Sequence, residues 1–462
     1  MKAVVIGGGV AGLAAAYDLV KHGHEVSLFE AGPVLGGQVR TFEIGGGRIE
    51  SFYHHLFQSD TEIIALIEEL GLGGDLEWID STVAMNAAER NYPFVGPLDL
   101  LRFDRVSLLT RVRLGLAALW LRRISDWRRY EGMRASDWIL SRVGREGYER
   151  VWGPLLRAKF GPYADDISMT WFWGKIYLRF ASRKGGLLAR EQLGYLHGSF
   201  GRLVDALAEA IVDGGGSASA GAPVERIRFE GGRVTGVEVH SDEGTRYVRA
   251  DAVIATVPSG IFERMLPELG DLDGKYASMI AAQQYQWASV LVLALDRPLS
   301  EHYWLTMTDE DCPFVVAVEQ TNFVPASRYG GKHVVYLSNY TDPADPIIEL
   351  DADGVFERYE PYLRRINPDF DRSWVTDRWL FVDRAGQPVV HHRYHETIAP
   401  HRTPVEGLYL ANTTQIYPED RGQNYSIRMG RRVARLARLD AAAAGELESG
   451  AGAPADAGAG GE

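Results

Sequence analysis

The chain has 462 residues, a formal net charge of −13, 46% apolar and 24% charged residues, and a single cysteine, Cys312. That length holds roughly three domains' worth of chain, and the composition excludes a disordered or collagen-like protein. One cysteine excludes an internally disulfide-stapled secreted fold and makes a reducing cytoplasm the expected compartment, while net acidity argues against nucleic acid, whose phosphates need a basic surface.

The segment from Met1 to Glu30 forms the clearest unit. Ala3-Val4-Val5-Ile6 is a continuous apolar run, the pattern of a strand buried on both faces. Glycines come next, then Val10 to His22 with Leu13, Ala16, Tyr17 and Val20 at helical spacing. Gly23 stops that helix, and Val26 to Glu30 reads as a second strand, completing a βαβ unit. No cleavage-site pattern opens the chain. Its longest apolar stretch, Leu114 to Leu121, is far short of the ~20 residues that cross a bilayer.

From 61 to 195 the pattern turns helical and aromatic. Thr61 to Leu70 is a helix with Thr61 as its cap and Gly71 as its stop. Leu100 to Arg123 and Ser136 to Val143 are further helices, and Trp152, Phe160, Tyr163, Trp171, Phe172, Trp173 and Tyr177 are expected to pack them together. Residues 102 to 134 carry nine arginines against three acids. Two readings of segment 100–129 stay open. Its arginines are solvated on a helix packed against its own domain, or Leu108, Leu109, Leu114, Leu116, Leu119 and Trp120 form a face that lies on anionic lipid.

Gly201 to Val212 is an amphipathic helix. Val224 to Phe229 and Arg233 to His240 form a hairpin about Glu230-Gly231-Gly232. Asp251 to Thr256, Ser289 to Leu295, His333 to Tyr340 and Leu408 to Ala411 read as strands, and Ile427 to Leu439 as a helix. Residues 441–462 contain only Ala, Gly, Pro, Ser, Leu and acids, with no Lys or Arg, and are expected to be a disordered tail.

Gly7-Gly8-Gly9-Val10-Ala11-Gly12 fits G-x-G-x-x-G with the required strand before it and helix after it. In that context Gly7 makes the tight turn, Gly9 admits a phosphate and Gly12 lets helix and strand pack closely. The helix N-terminus, with Ala11 in its first turn, then offers amides and a positive dipole end to a pyrophosphate. Glu30 ends the second strand, where a carboxylate accepts from ribose hydroxyls. These residues predict a dinucleotide site.

Downstream of that unit stands Gly36-Gly37-Gln38-Val39-Arg40-Thr41. Here the sequence resembles the flavoprotein group that contains amine oxidases, protoporphyrinogen oxidase and phytoene desaturases. The first βαβ unit of that group is followed by a Gly-Gly motif and an arginine near the FAD phosphates; Gly36, Gly37 and Arg40 stand at matching positions, with Gln38 where an arginine is common. Further matches come in order: Glu50 to His54, Leu196 to Gly201, Ala222-Pro223-Val224, Asp251 to Pro258, and Gly407 to Asn412, where an acid is usual. The resemblance implies non-covalent FAD, with Thr41, Val224, Asn412 and Asn424 among its contacts and Arg421 to Tyr425 beside the isoalloxazine.

It also implies an α/β fold: a Rossmann-like FAD-binding domain of the glutathione-reductase type, interleaved with an α+β substrate domain. The expected boundaries are 1–80, 196–265 and 401–440 for FAD, 81–195 for a helical substrate region and 266–400 for a substrate sheet. The expected activity is dehydrogenation of a small organic or lipophilic substrate by hydride transfer to flavin N5. His54, His55 and Tyr425 are the candidate catalytic residues, imidazole being poised near neutral pH. No metal site is expected: His391 to His395 lacks accompanying Cys or spaced carboxylates. None of the seven lysines matches the flavin-N5 lysine common in amine oxidases. The rival activity is that of UDP-galactopyranose mutase, a related fold without net redox, in which Arg393, Tyr394, Arg421 and Asn424 would hold a nucleotide-sugar phosphate.

Overall fold

The computed structural model describes residues 1–93, 97–181, 192–241 and 244–451. At its centre Lys2–Ile6, buried from Ala3 onward, pairs in parallel with Glu25–Phe29 on one side and Ala252–Ala255 on the other. Ser217–Ser219 and Leu408–Leu410 add the outer strands of this five-stranded parallel sheet. Its strands therefore come from three distant stretches of chain. The helix Val10–Lys21 packs between the sheet and the helices Gly201–Asp213 and Gln423–Ala451. Leu13, Ala14, Ala15, Ala16 and Leu19 are fully buried, and the short alanine side chains let helices approach on both sides.

The second body is a seven-stranded sheet in the order Val375–Pro388, Tyr285–Leu295, His333–Thr341, Val316–Glu319, Trp304–Met307, Val83–Ala87, Arg90–Pro93. It is antiparallel except where Trp304–Met307 meets Val83–Ala87. Beside it Trp138, Trp152, Phe160, Trp171, Phe172 and Trp173 fill one apolar cluster of the helical region.

Several local expectations change. Strands Val83–Ala87 and Arg90–Pro93 belong to the seven-stranded sheet although they open the stretch expected to be helical. The Leu100–Arg123 helix is two, Pro97–Arg102 and Leu108–Arg123, because Ser107 caps the second by accepting from the Thr110 amide. Thr61 is not the cap of Thr61–Glu69; the amides of Glu62 and Ile63 donate to Asn424 Oδ1 at 2.9 and 3.2 Å. The last helix continues through the expected tail boundary at 440 to Ala451. Glu446 and Glu448 lie in its final turns, where alanine-rich composition favours helix over coil; residues 452–462 lie outside the described residues.

One buried carboxylate ties these pieces together. Glu50, 1% exposed, accepts from the Tyr195 hydroxyl at 2.7 Å and the Phe200 amide at 2.5 Å. Its own carbonyl accepts from the Tyr336 hydroxyl at 2.7 Å. Burial pushes the Glu50 carboxyl up to about 7. The unfolded chain therefore releases this proton first as pH rises, and folding loses roughly 3 kcal/mol between pH 4.5 and 7, a loss that persists above. Glu50→Gln removes that term. Thermal unfolding of both proteins from pH 5 to 8 is expected to move the melting-temperature difference in the variant's favour up to about pH 7 and to level off above it; a pH-independent difference contradicts the assignment.

Candidate functional site

The glycine turn is built by close backbone approach. A Cβ on Gly12 would sit 2.0 Å from the Gly7 carbonyl oxygen, so no side chain fits there. Gly9 occupies the N-cap of Val10–Lys21 in extended conformation, with no side-chain cap. The first-turn amides, which have no acceptor within a helix, are thus left to a ligand. Gly37, at φ +57°, brings the second glycine motif against the first: its Cβ would lie 3.1 Å from Gly9 Cα. The Gly36 amide donates to the Gly8 carbonyl at 2.8 Å.

The remaining sequence-assigned cofactor residues surround this turn in different ways. Glu30 accepts from the amides of Gly8 and Gly32, both at 2.7 Å, so its carboxylate is fixed beside the turn. The Arg40 guanidinium donates to the Gly37 carbonyl at 3.2 Å and lies 5.3 Å from the Phe52 ring centroid. Thr41 Oγ1 accepts from Arg48 Nε at 2.9 Å, and the Ala11 backbone packs directly under Gly430. Val224 is buried at the start of a three-stranded meander. An uncapped helix N-terminus, facing glycines, a fixed carboxylate and one guanidinium fit a dinucleotide diphosphate and its ribose.

The two asparagines use their side chains internally. Asn412 donates to the Val257 carbonyl at 3.1 Å and to Ser259 Oγ at 3.2 Å, and accepts from the Thr414 amide at 3.1 Å, closing a capping box with Gln415. It joins the loops that follow the two strands Ala252–Ala255 and Leu408–Leu410. Asn424 caps Thr61–Glu69 and so fixes the first turn of the last helix against the first chain segment.

Beyond the Gly-Gly turn lies a charged cluster that includes several residues unassigned by sequence. Lys159 Nζ and Lys175 Nζ both meet Asp420 Oδ2, at 2.6 and 2.8 Å. Asp420 Oδ1 accepts from Trp171 Nε1 at 3.0 Å and Gln387 Nε2 at 3.1 Å. Arg421 donates to Gln387 Oε1 at 3.1 Å, Gln38 Oε1 at 3.2 Å and the Tyr340 hydroxyl at 3.3 Å. Gln38 thus holds a guanidinium from across the fold beside Gly37.

The electrostatics follow from burial and contact. Burial raises the Asp420 carboxyl, but Lys159, Lys175 and Arg421 outweigh it and hold the group well below the ordinary range. At Lys159, by contrast, burial wins, lowering its ammonium despite Asp420. At Tyr340 burial is outweighed by Lys159 and Arg421, and the hydroxyl falls below its ordinary value. Lys159 could have been suspected from sequence, as one of seven lysines set in an aromatic-rich stretch; the pairing with Asp420 spans 261 residues and has no local signal.

The catalytic candidates are divided. His54 donates Nδ1–H to the Phe52 carbonyl at 2.6 Å, which leaves Nε2 as an acceptor in the neutral ring. Burial, with Arg421 nearby, pushes it down to about 4, so the ring is neutral at pH 7. His55 meets the Tyr303 hydroxyl at 3.0 Å among Phe57, Tyr303 and Trp304. Tyr425 has Arg428 over its ring at 4.9 Å, and burial raises its hydroxyl above the ordinary value.

His391 to His395 are engaged separately. His392 Nδ1 meets Asp166 at 2.8 Å, and the buried Tyr394 hydroxyl donates to the Thr414 carbonyl at 2.7 Å. Among the described residues no group of three or more His, Cys, Asp or Glu is placed to hold a metal ion. Of the four residues suited to a nucleotide-sugar phosphate, Arg393 pairs with Glu396, Tyr394 is buried and bonded, and Asn424 caps a helix; Arg421 alone joins the charged cluster.

Comparison with known proteins gives a consistent picture. Residues 10–437 match the model of the flavin containing amine oxidoreductase family. The chain is 23% identical over 460 residues to zeta-carotene desaturase, chloroplastic/chromoplastic, of Zea mays, covering 89% of this chain and 79% of that one. In fold it resembles an oxidoreductase from Methanosarcina mazei, with a TM-score of 0.72, 21% identity and coverage of 94% and 100% of the two chains. Reduced UDP-galactopyranose mutase has the same TM-score, 0.72, at 15% identity and coverage of 95% and 96%.

Gly12→Ala is expected to reduce bound flavin per chain at least tenfold and to lower the melting temperature, because the methyl meets backbone. Glu30→Ala is expected to weaken flavin binding with a smaller effect on melting. Absorbance of bound flavin and thermal unfolding check both; full flavin content in Gly12→Ala contradicts the packing argument.

Proposed function

The chain belongs to the flavin containing amine oxidoreductase family, and on that premise we propose that this FAD-dependent oxidoreductase dehydrogenates a small organic or lipophilic substrate by hydride transfer to flavin N5. When bound, FAD supplies the hydride acceptor. Gly7 to Gly12, Glu30, Gly36, Gly37 and Arg40 are assigned to the nucleotide end. The observation that carries this reading is the bond from Arg421 to Gln38, which brings the polar cluster of the substrate body next to the Gly-Gly turn.

His54, neutral and with Nε2 unprotonated, is assigned to accept the substrate proton; Tyr425 and His55 line the approach. The mutase reading is weaker, since three of its four phosphate-binding candidates are already engaged within the protein. Anaerobic mixing of FAD-loaded protein with polyisoprenoid, tetrapyrrole, amine and nucleotide-sugar candidates separates the two. Dehydrogenation requires loss of oxidised-flavin absorbance by one of the first three. Turnover of a nucleotide sugar only after prior reduction, without electron consumption, contradicts it.

Membrane contact through residues 100–129 is the second part of the reading. Among the described residues no helix is long and apolar enough to cross a membrane. On Leu108–Arg123, however, Leu108, Leu109, Val112, Leu116, Leu119 and Trp120 are 39–64% exposed and fall within an arc of about 120° at 3.6 residues per turn. Leu114, expected on that face, is instead buried with Thr110, Ala117 and Leu121, and Val112 takes its place. Arg111 and Arg122 border the stripe on one side and Arg113 on the other, an arrangement suited to an anionic interface. The inner face packs on Met169–Ala181, the helix that carries Trp171 and Lys175. Vesicles rich in phosphatidylglycerol are expected to co-sediment the protein at low salt, and Leu116→Glu/Trp120→Glu to abolish it. Equal recovery with and without vesicles removes the membrane reading.

A further inference from the structure

Three cations and one contacting carboxylate make up the cluster beside the Gly-Gly turn. Asp420 is saturated: Lys159 and Lys175 meet one oxygen, and Trp171 and Gln387 donate to the other. A carboxylate has about four acceptor positions, so Asp420 has none left for Arg421. The three acceptors of Arg421 are the amide oxygens of Gln387 and Gln38 and the Tyr340 hydroxyl, none of them a carboxylate. A further acid that favours its charge, Asp383, accepts from the Ala385 amide at 2.8 Å and makes no ion pair with Arg421. Lys175 is 46% exposed and also meets water, but positive charge on the more enclosed Lys159 and Arg421 calls for an anionic partner.

We infer that this partner is an oxyanion of the substrate, a carboxylate or a phosphate, received by Arg421 together with Lys159 and Lys175; the inference rests on the dehydrogenation reading above. Arg421 offers a planar fork suited to either group. The half-buried ring of Tyr340 lies 5.5 Å from Lys159 Nζ and offers flat apolar surface to the body that carries the anion, while the buried rings of Phe160 and Trp171, at 6.0 and 5.2 Å, back the lysine from within the core. A substrate ammonium would add a fourth positive charge, and a bare hydrocarbon would leave the surplus unmet. Acid-bearing or phosphate-bearing substrates are therefore favoured over amines.

The test uses FAD-loaded protein titrated with sodium benzoate, inorganic phosphate and benzylammonium chloride at one ionic strength, followed by calorimetry and by perturbation of the flavin spectrum. Benzoate or phosphate is expected to saturate at about millimolar concentration or below, the one that binds identifying the oxyanion. Arg421→Gln and Lys159→Gln should weaken it at least tenfold, and Lys159→Arg, which keeps the charge, much less. Benzylammonium should not saturate. Absence of saturation by both anions, unchanged affinity in Arg421→Gln, or preferential binding of benzylammonium overturns the inference. FAD content and photoreduction with EDTA are read on the same samples. Failure to hold or reduce FAD counts against the dehydrogenation reading, whereas a reducible, FAD-loaded protein that takes up no anion counts against the oxyanion alone.

Discussion

The close approach of Gly12 to the Gly7 carbonyl is the contact on which the rest of the architecture depends. It sets the first helix hard against the first strand, leaving three successive alanines to meet the helices Gly201–Asp213 and Gln423–Ala451. Those helices belong to widely separated chain segments, so the parallel sheet is closed by long-range pairings. Strand pairing over such separations is slow and entropically costly. The buried Glu50 network joins the first segment to Tyr195, Phe200 and Tyr336.

The same topology explains where polar chemistry collects. A parallel sheet directs ligands to the carboxyl ends of its strands, and the loops after Ile6, Phe29, Ala255 and Leu410 converge there. The second body contributes Lys159, Lys175, Tyr340 and Gln387, and the final segment contributes Asp420 and Arg421. Neither body alone assembles the cluster. Asp420, deeply ionised by its three cationic neighbours, organises the lysines while Gln38 and Gln387 orient Arg421.

Much of the βαβ unit and its glycine turn was legible in sequence because its constraints are local. Glycine spacing, a flanking strand and helix, and Glu30 at the end of the second strand all report on backbone geometry within one short βαβ unit. Asn412 and Asn424 carried a family position but no local sign that their side chains cap helical turns. Leu100–Arg123 read as one helix because its apolar spacing is nearly continuous; the cap at Ser107 divides it. The strands Val83–Ala87 and Arg90–Pro93 take their place in the sheet from Trp304–Met307, a partner far along the chain. The charged cluster had no spacing to betray it, since Lys159 and Asp420 meet only through tertiary packing. Its members could be suspected only as rare cations in an aromatic setting.

The midpoint potential of the bound flavin tests most directly whether the flavin ring lies beside this cluster. Neighbouring positive charge favours the reduced, more negative form. The native protein is therefore predicted to have a higher potential than Arg421→Gln and Lys159→Gln, by about 30 mV or more, equivalent to ~1.4 kcal/mol for two electrons. Identical potentials in the native protein and both variants, at full flavin occupancy, would contradict the account.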